Sequence, residues 1–368
     1  MSTPRKETPM RVSPDRLRRL TATIIARGGS EPAEADLVAG HLVDANLAGH
    51  DSHGVSLIPH YVRHLKEGLV VPNTTAKVVK DDGAFLMFDG QRGFGRRMAG
   101  EAMAAAMART RETGVAVMTL ANSHHIGRVG AYGEMASAAG LVSIHFVNVA
   151  DHGGLVAPFR GTDSRFSTNP VCIGMPGTAT QPPLLLDMAT SGVAMGKVLV
   201  AKLAGKRLAE GNLIDPQGAP TTDPEVMYRE PRGSLLPFGA HKGYALAVLT
   251  ELLAGAMSGG GTIQPENPRR GGVVNNMFSI VVDPARLAGV DWMRHEVDAF
   301  VGYVKASPPA DAANPVLVPG DPERLSREER GRAGVPLDAA TWDAIVTAGI
   351  AMGVTRAQAE EIAGPPAG

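Results

Sequence analysis

The chain has 368 residues, a formal net charge of -1 and 44 % hydrophobic residues, enough for a substantial core and for two or three structural units. Near-neutral charge gives no reason to expect nucleic acid or an anionic membrane as the main partner, and 4 % aromatic residues leave little material for base stacking. A single cysteine, Cys172, rules out an intrachain disulfide framework and a cysteine-based zinc site, and points to a reducing compartment.

Met1 to Met10 is polar, with no apolar run that could act as a signal segment, and no stretch of about 18 apolar residues suggests a spanning helix. A cytoplasmic protein is therefore expected. Ser13-Pro14 opens a helix to Arg27, closed by Gly28-Gly29. A second helix is predicted from Ser30 to about Leu47, with Ala35, Leu37, Val38, Leu42 and Val43 on its apolar face. A polar junction, Gly49 to Gly54, then leads to a short helix near Pro59–Glu67.

Short apolar runs from Ala76 to Asp89 predict two strands, and Arg97–Thr113 a helix ended by Gly114. Val115–Leu120 reads as a strand, followed by a turn from Asn122 to Gly130 and a helix near Ala131–Ala139. Leu141–Val149 and Leu184–Leu186 are further strands, and a helix is predicted near Val193–Leu203. Gly243–Ser258 is a long apolar helix, Gly259–Gly272 a loop and Met277–Val282 a strand. Helices near Asp291–Lys305, Pro322–Ala333 and Asp338–Met352 complete the chain. Strands alternating with helices predict an α/β or α+β class. The expected organisation is an N-terminal helical segment, 11–75, a central α/β region with a mixed sheet, 76–300, and a C-terminal helical segment, 301–368, packed with the first.

No G-x-G-x-x-G follows a strand and no Walker-type loop occurs. Asn122-Ser123-His124-His125-Ile126-Gly127-Arg128-Val129-Gly130 is the alternative cradle for a pyrophosphate. It offers backbone N–H groups at a helix start, glycines for close approach and one arginine. An ordinary polar turn is the competing reading. Histidines occur in Asp51-Ser52-His53 and in His124-His125, and a histidine ordinarily titrates near neutrality and can move the proton that accompanies a hydride. A hydrogen-bonded structural role is the bland alternative for each. Adjacent histidines lack the i, i+4 spacing of a helical zinc pair, so no metal is expected. Asp187 ends a three-leucine strand, where it could orient an imidazole or merely cap a turn. His241 and Lys242 open the longest apolar helix, and Asp321 and Glu323 sit in the first turn of another.

Five segments occur in one order: Leu47 to Val55, Asn122 to Gly130, Ser164 to Pro170, Leu186 to Ser191 and His241 to Tyr244. Together they resemble the malate/L-lactate dehydrogenase family over nearly the whole chain, from about Arg16 to Gly353. The resemblance implies an α/β fold distinct from the Rossmann fold, a homodimer, and NAD(P)-dependent interconversion of 2-hydroxy and 2-oxo acids. It implies His53 as proton donor beside the nicotinamide, Ser52 and Asp187 as its polar partners, and His125 as a second histidine that could hold the same role. The implied cofactor contacts are His53, Gly127, Arg128, Val129, Leu185, Leu186, Asp187, Met188, Ala189, His241, Lys242, Asn275, Gly320, Asp321, Pro322 and Glu323. Asp321 and Glu323 would repel a 2′-phosphate, which favours NAD(H) over NADP(H).

The family often carries an arginine four residues after the Ser-His-Gly histidine, where this chain has Leu57. A leucine cannot fork onto a carboxylate, so Arg63 or Lys242 would serve instead, or the preferred acid is larger and more apolar. Three alternatives predict different behaviour: a cyclic imine reductase of the same family, a metal-dependent hydrolase and a non-catalytic dinucleotide sensor.

Overall fold

A computed structural model describes residues 10–203 and 205–364. The expectation for the extreme N-terminus rests mostly on residues 1–9, which lie outside the described residues. In chain order the first elements are β1 (Met10–Val12), α1 (Pro14–Arg27), α2 (Pro32–Leu47), α3 (Ile58–Lys66), β2 (Lys77–Asp82) and β3 (Phe85–Asp89). There follow α4 (Gly95–Thr113), β4 (Val115–His124), α5 (Gly130–Ala138), β5 (Val142–Ala150), β6 (Val171–Met175), β7 (Leu184–Met188) and α6 (Met195–Leu203). Next come the short strands β8 (Leu213–Ile214), β9 (Pro220–Thr221) and β10 (Ser234–Leu235), then α7 (His241–Glu251), β11 (Val274–Val282) and α8 (Val290–Lys305). The chain closes with α9 (Asp321–Ala333), β12 (Val335–Leu337), α10 (Ala339–Ile350) and α11 (Arg356–Ala363). A single π-helical turn, Leu252–Ala256, extends α7.

The chain divides into two units, residues 10–73 with 321–364 and residues 74–320. The first is built of helices α1–α3 and α9–α11. Leu17, Leu20, Ile24 and Ile25 fall on one face of α1 at helical spacing and are fully buried. Antiparallel pairing of β1 with β12, Met10 opposite Leu337, ties the two ends of this unit together. Thr355 and Gln358 form a reciprocal capping box at the start of α11.

The second unit is organised on a seven-stranded sheet of order β2-β3-β4-β11-β5-β6-β7. Only β3 and β4 run parallel, and α4 supplies the crossover that a parallel pair needs. The alanine- and methionine-rich face of α4 (Met98, Ala99, Ala102, Met103, Ala106) covers Leu86, Phe88, Ala116, Met118 and Leu120 of the sheet. At α5 the helix approaches β6 closely, because a Cβ on Gly133 would lie 2.8 Å from the Cys172 Sγ and Leu185 Cδ1 atoms. A three-stranded sheet, β10-β8-β9, has its own core of Val156, Phe166, Val198, Leu213, Met227, Leu235, Ala247 and Ile263.

The structure contains strands that hydrophobic patterning did not predict: β1, β6, β8 to β10 and β12, besides helix α11. These strands are only two to five residues long, and partner strands from elsewhere in the chain decide whether such segments pair. Residues 301–320, expected with the C-terminal segment, run with the sheet unit, since Val297, Val301 and Val318 share a core with Met175 and Leu184.

Candidate active site

In the helical unit, the loop after α2 is shaped by an asparagine buried on that helix. Asn46 donates through Nδ2 to Asp51 Oδ1 at 2.6 Å and accepts the Val55 N–H at 2.9 Å. Gly54 packs so tightly on this amide that no Cβ fits. Arg330 of α9 forks onto Asp51 at 2.6 and 3.0 Å. Between these fixed points Ser52 and His53 are half-buried, with Ser52 Oγ 3.1 Å from His53 Nδ1. His50 meets Glu323 at 3.2 Å, and Asp321 pairs with Arg324 within the first turn of α9. Pro322 is exposed and Leu57 half-buried.

In the sheet unit, strand register gathers the remaining candidates. Val274 stands opposite both His124 and Ala150, Phe146 opposite Val171, and Val171 opposite Met188. The ends of β4, β5 and β7 therefore lie at one edge of the sheet with the starts of β6 and β11. The Asn122–Gly130 turn leaves β4 there. Asn122 adopts φ +54° and Gly127 φ +75°, and the Ile126 N–H is held by Asn275 Oδ1 at 2.9 Å. His124 is fully buried with its ring edge-on to Phe94 at 6.0 Å, whereas His125 is half-buried. Tyr132 donates to the Ile126 carbonyl at 2.6 Å, and burial pushes its phenol up to about 12.

Asp187, at the end of β7, accepts the Gly130 N–H at 2.9 Å, which fastens the turn to the strand end. Leu185 is buried, Leu186 exposed, and Met188 and Ala189 half-buried. Leu185 N–H also bonds the Pro319 carbonyl at 3.3 Å, which brings Gly320, at φ +94°, beside β7. Downstream, Phe238 N–H bonds Thr190 O at 3.0 Å and Gly192 N–H bonds Leu236 O at 2.8 Å. That pairing carries the exposed His241 and Lys242, at the start of α7, to the same region. Ala240 precedes them at φ +53°, and the His241 ring stands edge-on to Phe159.

Two expected cofactor contacts are committed inside the fold. Asn275 is buried, accepts from Ile126 and donates to Asn148 O at 2.9 Å. Arg128 is 1 % exposed, paired with Glu134 and 3.7 Å from Asp187 Oδ2. Two carboxylates offset its charge, so its guanidinium organises the turn and is not an exposed phosphate donor. Val129 is buried in the core beneath it. Sequence reading missed the residues that hold the site: Asn46, Arg330 and a polar ladder under the sheet edge. In that ladder Glu251 accepts from Asn148, Asn169 and the Ile263 N–H at 2.7 to 2.8 Å. Asparagines inside otherwise apolar elements (Asn46, Asn148, Asn276) were the available signal.

A nicotinamide dinucleotide presents an anionic pyrophosphate and flat, partly apolar rings. The half-buried Met188–Ala189 strand end, with exposed His241 and Lys242 at a helix N-terminus, has the donors and surfaces to suit both. Among the described residues no group of three or more His, Cys, Asp or Glu side chains could hold a metal ion, and no helix is long and apolar enough to cross a membrane.

The family model for malate/L-lactate dehydrogenase matches residues 12–346. Hydroxycarboxylate dehydrogenase B of Escherichia coli K12 is 48 % identical over 328 residues, 89 % of this chain and 90 % of that one. An L-lactate dehydrogenase of Cupriavidus necator is 45 % identical over 320 residues, 87 % of this chain and 92 % of that one. Among solved structures, an Escherichia coli protein provisionally assigned as a malate/lactate dehydrogenase superposes with TM-score 0.92 at 44 % identity, covering 97 % of this chain and 99 % of its own.

Proposed function

The chain belongs to the malate/L-lactate dehydrogenase family, and from that premise we propose that it interconverts a 2-hydroxy acid and its 2-oxo acid, with NAD(H) preferred to NADP(H). The observation that carries this reading is the convergence of the His125 turn, the Asp187 strand end and the His241–Lys242 helix start at one sheet edge. The pairing of that sheet, antiparallel except for β3–β4, supports a cofactor mode outside the Rossmann pattern.

The nicotinamide, when bound, supplies or accepts the hydride. His53 gives the carbonyl oxygen its proton in the reductive direction. In this reading the Ser52 hydroxyl, 3.1 Å from Nδ1, donates to that nitrogen and leaves the transferable proton on Nε2. His125 is the alternative donor. Lys242 and His241 hold the cofactor's anionic group at the N-terminus of α7, and the Leu185–Ala189 strand end backs its ring. Asp321 and Glu323 disfavour a 2′-phosphate. Leu57, where the family often has arginine, favours a larger or aromatic 2-oxo acid. The active species is a cytoplasmic homodimer in this reading.

Absorbance at the NADH band, followed with a panel of 2-oxo acids and with NADH and NADPH separately, tests the proposal. Oxidation of NADH by a defined acid supports it, and the panel ranks aromatic against small acids. NADH binding with no turnover across the panel, or turnover only with a cyclic imine acid, would replace it.

A further inference from the structure

Beside the His124–His125 turn lies a second arginine in a setting unlike that of Arg128. Gly90-Gln91-Arg92-Gly93 forms a tight turn after β3, closed by Gly93 N–H to Gly90 O at 2.7 Å, with Gln91 at φ +49° and Arg92 at φ +57°. Two consecutive left-handed residues are the geometry that normally selects Asn-Gly. Here two long side chains occupy it at an energetic cost. The turn is stitched to the site, since Arg92 N–H bonds Asn122 O at 2.8 Å and His124 N–H bonds Gly93 O at 3.1 Å.

Across from it Asp151, immediately after β5, adopts φ +70°. Its Oδ2 takes both Arg92 terminal nitrogens, Nη1 at 3.1 Å, while Oδ1 accepts the Arg270 N–H. The side chains of Arg92 and Asp151 are only 12 % and 5 % exposed. A buried ion pair adds little net stability, because desolvation consumes the Coulombic gain. This one is held on two strained backbones at the edge of the sheet that carries His125. It also leaves donors unspent. Asp151 engages two of the five guanidinium N–H groups, and Nε is buried with no hydrogen-bond partner among the described residues. Arg128, by contrast, faces two carboxylates. Arg92 meets a single carboxylate, that of Asp151.

We propose that Arg92, oriented by Asp151, anchors the carboxylate of the 2-oxo acid at this end of the sheet. The role rests on the dehydrogenase reading above. Asp151 is a positioning residue, holding one edge of the planar guanidinium so that its remaining N–H groups face the substrate anion. A buried, pre-oriented arginine recognises a carboxylate without losing side-chain entropy on binding.

The test compares a free acid with its uncharged ester, phenylpyruvate with methyl phenylpyruvate and pyruvate with methyl pyruvate, in wild type and in Arg92→Gln. Arg92→Gln is expected to raise KM for the acids about 10- to 100-fold, the scale of one charge-assisted contact. KM and kcat for the esters, and the NADH dissociation constant by fluorescence, should stay within about two-fold of wild type on the same reasoning. Arg92→Lys keeps the charge without the fork, should fall between the two, and carries the test if the glutamine variant does not fold. Equal losses on acid and ester, or an unchanged acid KM, would overturn the anchor. A wild-type protein that binds NADH yet reduces no 2-oxo acid would instead overturn the dehydrogenase reading.

Discussion

Replacing His53 with alanine removes the proposed proton donor but no element of the fold. Turnover is expected to fall about 100-fold or more, the scale of losing a general acid, while NADH affinity stays within a few-fold. The same substitution at His125 is the control, and near-normal turnover in the His53 variant would move the role there. At this scale the sequence was most legible where a motif is local. Ser52-His53-Gly54 is recognisable because neighbouring residues suffice to define it. The residues that shape the loop were not recognisable. Asp51 is gripped by Arg330, 279 positions away, and no pattern in either segment announces the other. Arg128 was read as part of a pyrophosphate cradle, and its enclosure was not legible for the same reason: Asp187, one of the two acids beside it, comes from a different segment.

At the scale of elements, local propensity located most of the helices well, because each long apolar stripe carries its own period. Strand ends were less legible. β4 continues to His124, beyond the apolar run that ends at Leu120, because Ser123 and His124 pair with Asn275 and Val274 of β11. β6 went unpredicted although Val171-Cys172-Ile173-Gly174-Met175 is apolar, since five such residues fit strand and loop equally until β5 and β7 are beside them. The close seating of α5 on this strand gives a test. Gly133→Ala would press a methyl against the Cys172 and Leu185 side chains, and denaturant unfolding should show about 1–3 kcal/mol of destabilisation. An unchanged midpoint would mean that α5 is not seated so closely. The same change should also reduce activity, because Gly130, whose N–H holds Asp187, begins the helix.

For the whole molecule, acid sensitivity follows from a histidine in the centre of the sheet. His145 is fully buried, its ring nitrogens 2.8 and 2.9 Å from Ser279 and Ser143, and burial lowers its pKa to about 3. The unfolded chain takes up this proton near 6.5 while the folded one does not. Stability is therefore full above about pH 6.5 and declines as pH falls toward 3, by up to about 1.4 kcal/mol per unit. His152, lowered chiefly by its own burial, acts in the same direction. Urea unfolding at pH 7 and pH 5 should show this decline, and His145→Gln should flatten it. Parallel acid limbs in the two proteins would assign the effect to other groups. Sedimentation equilibrium should return twice the chain mass if the homodimer is correct. The exposed side chains of Leu287, Trp292, Phe300 and Tyr303 on and before α8 are apolar surface available to such an interface.

By itself the sequence determined the α/β class, the principal helices, the family and the short motif around His53, because each depends on residue order or on a period readable within one segment. Tertiary structure alone decided that β11 enters between β4 and β5, that Arg128 is enclosed by acids, and that Arg92 meets Asp151. Those outcomes depend on which distant segments desolvate one another. A charge written in a sequence carries no mark of the partner that will offset it.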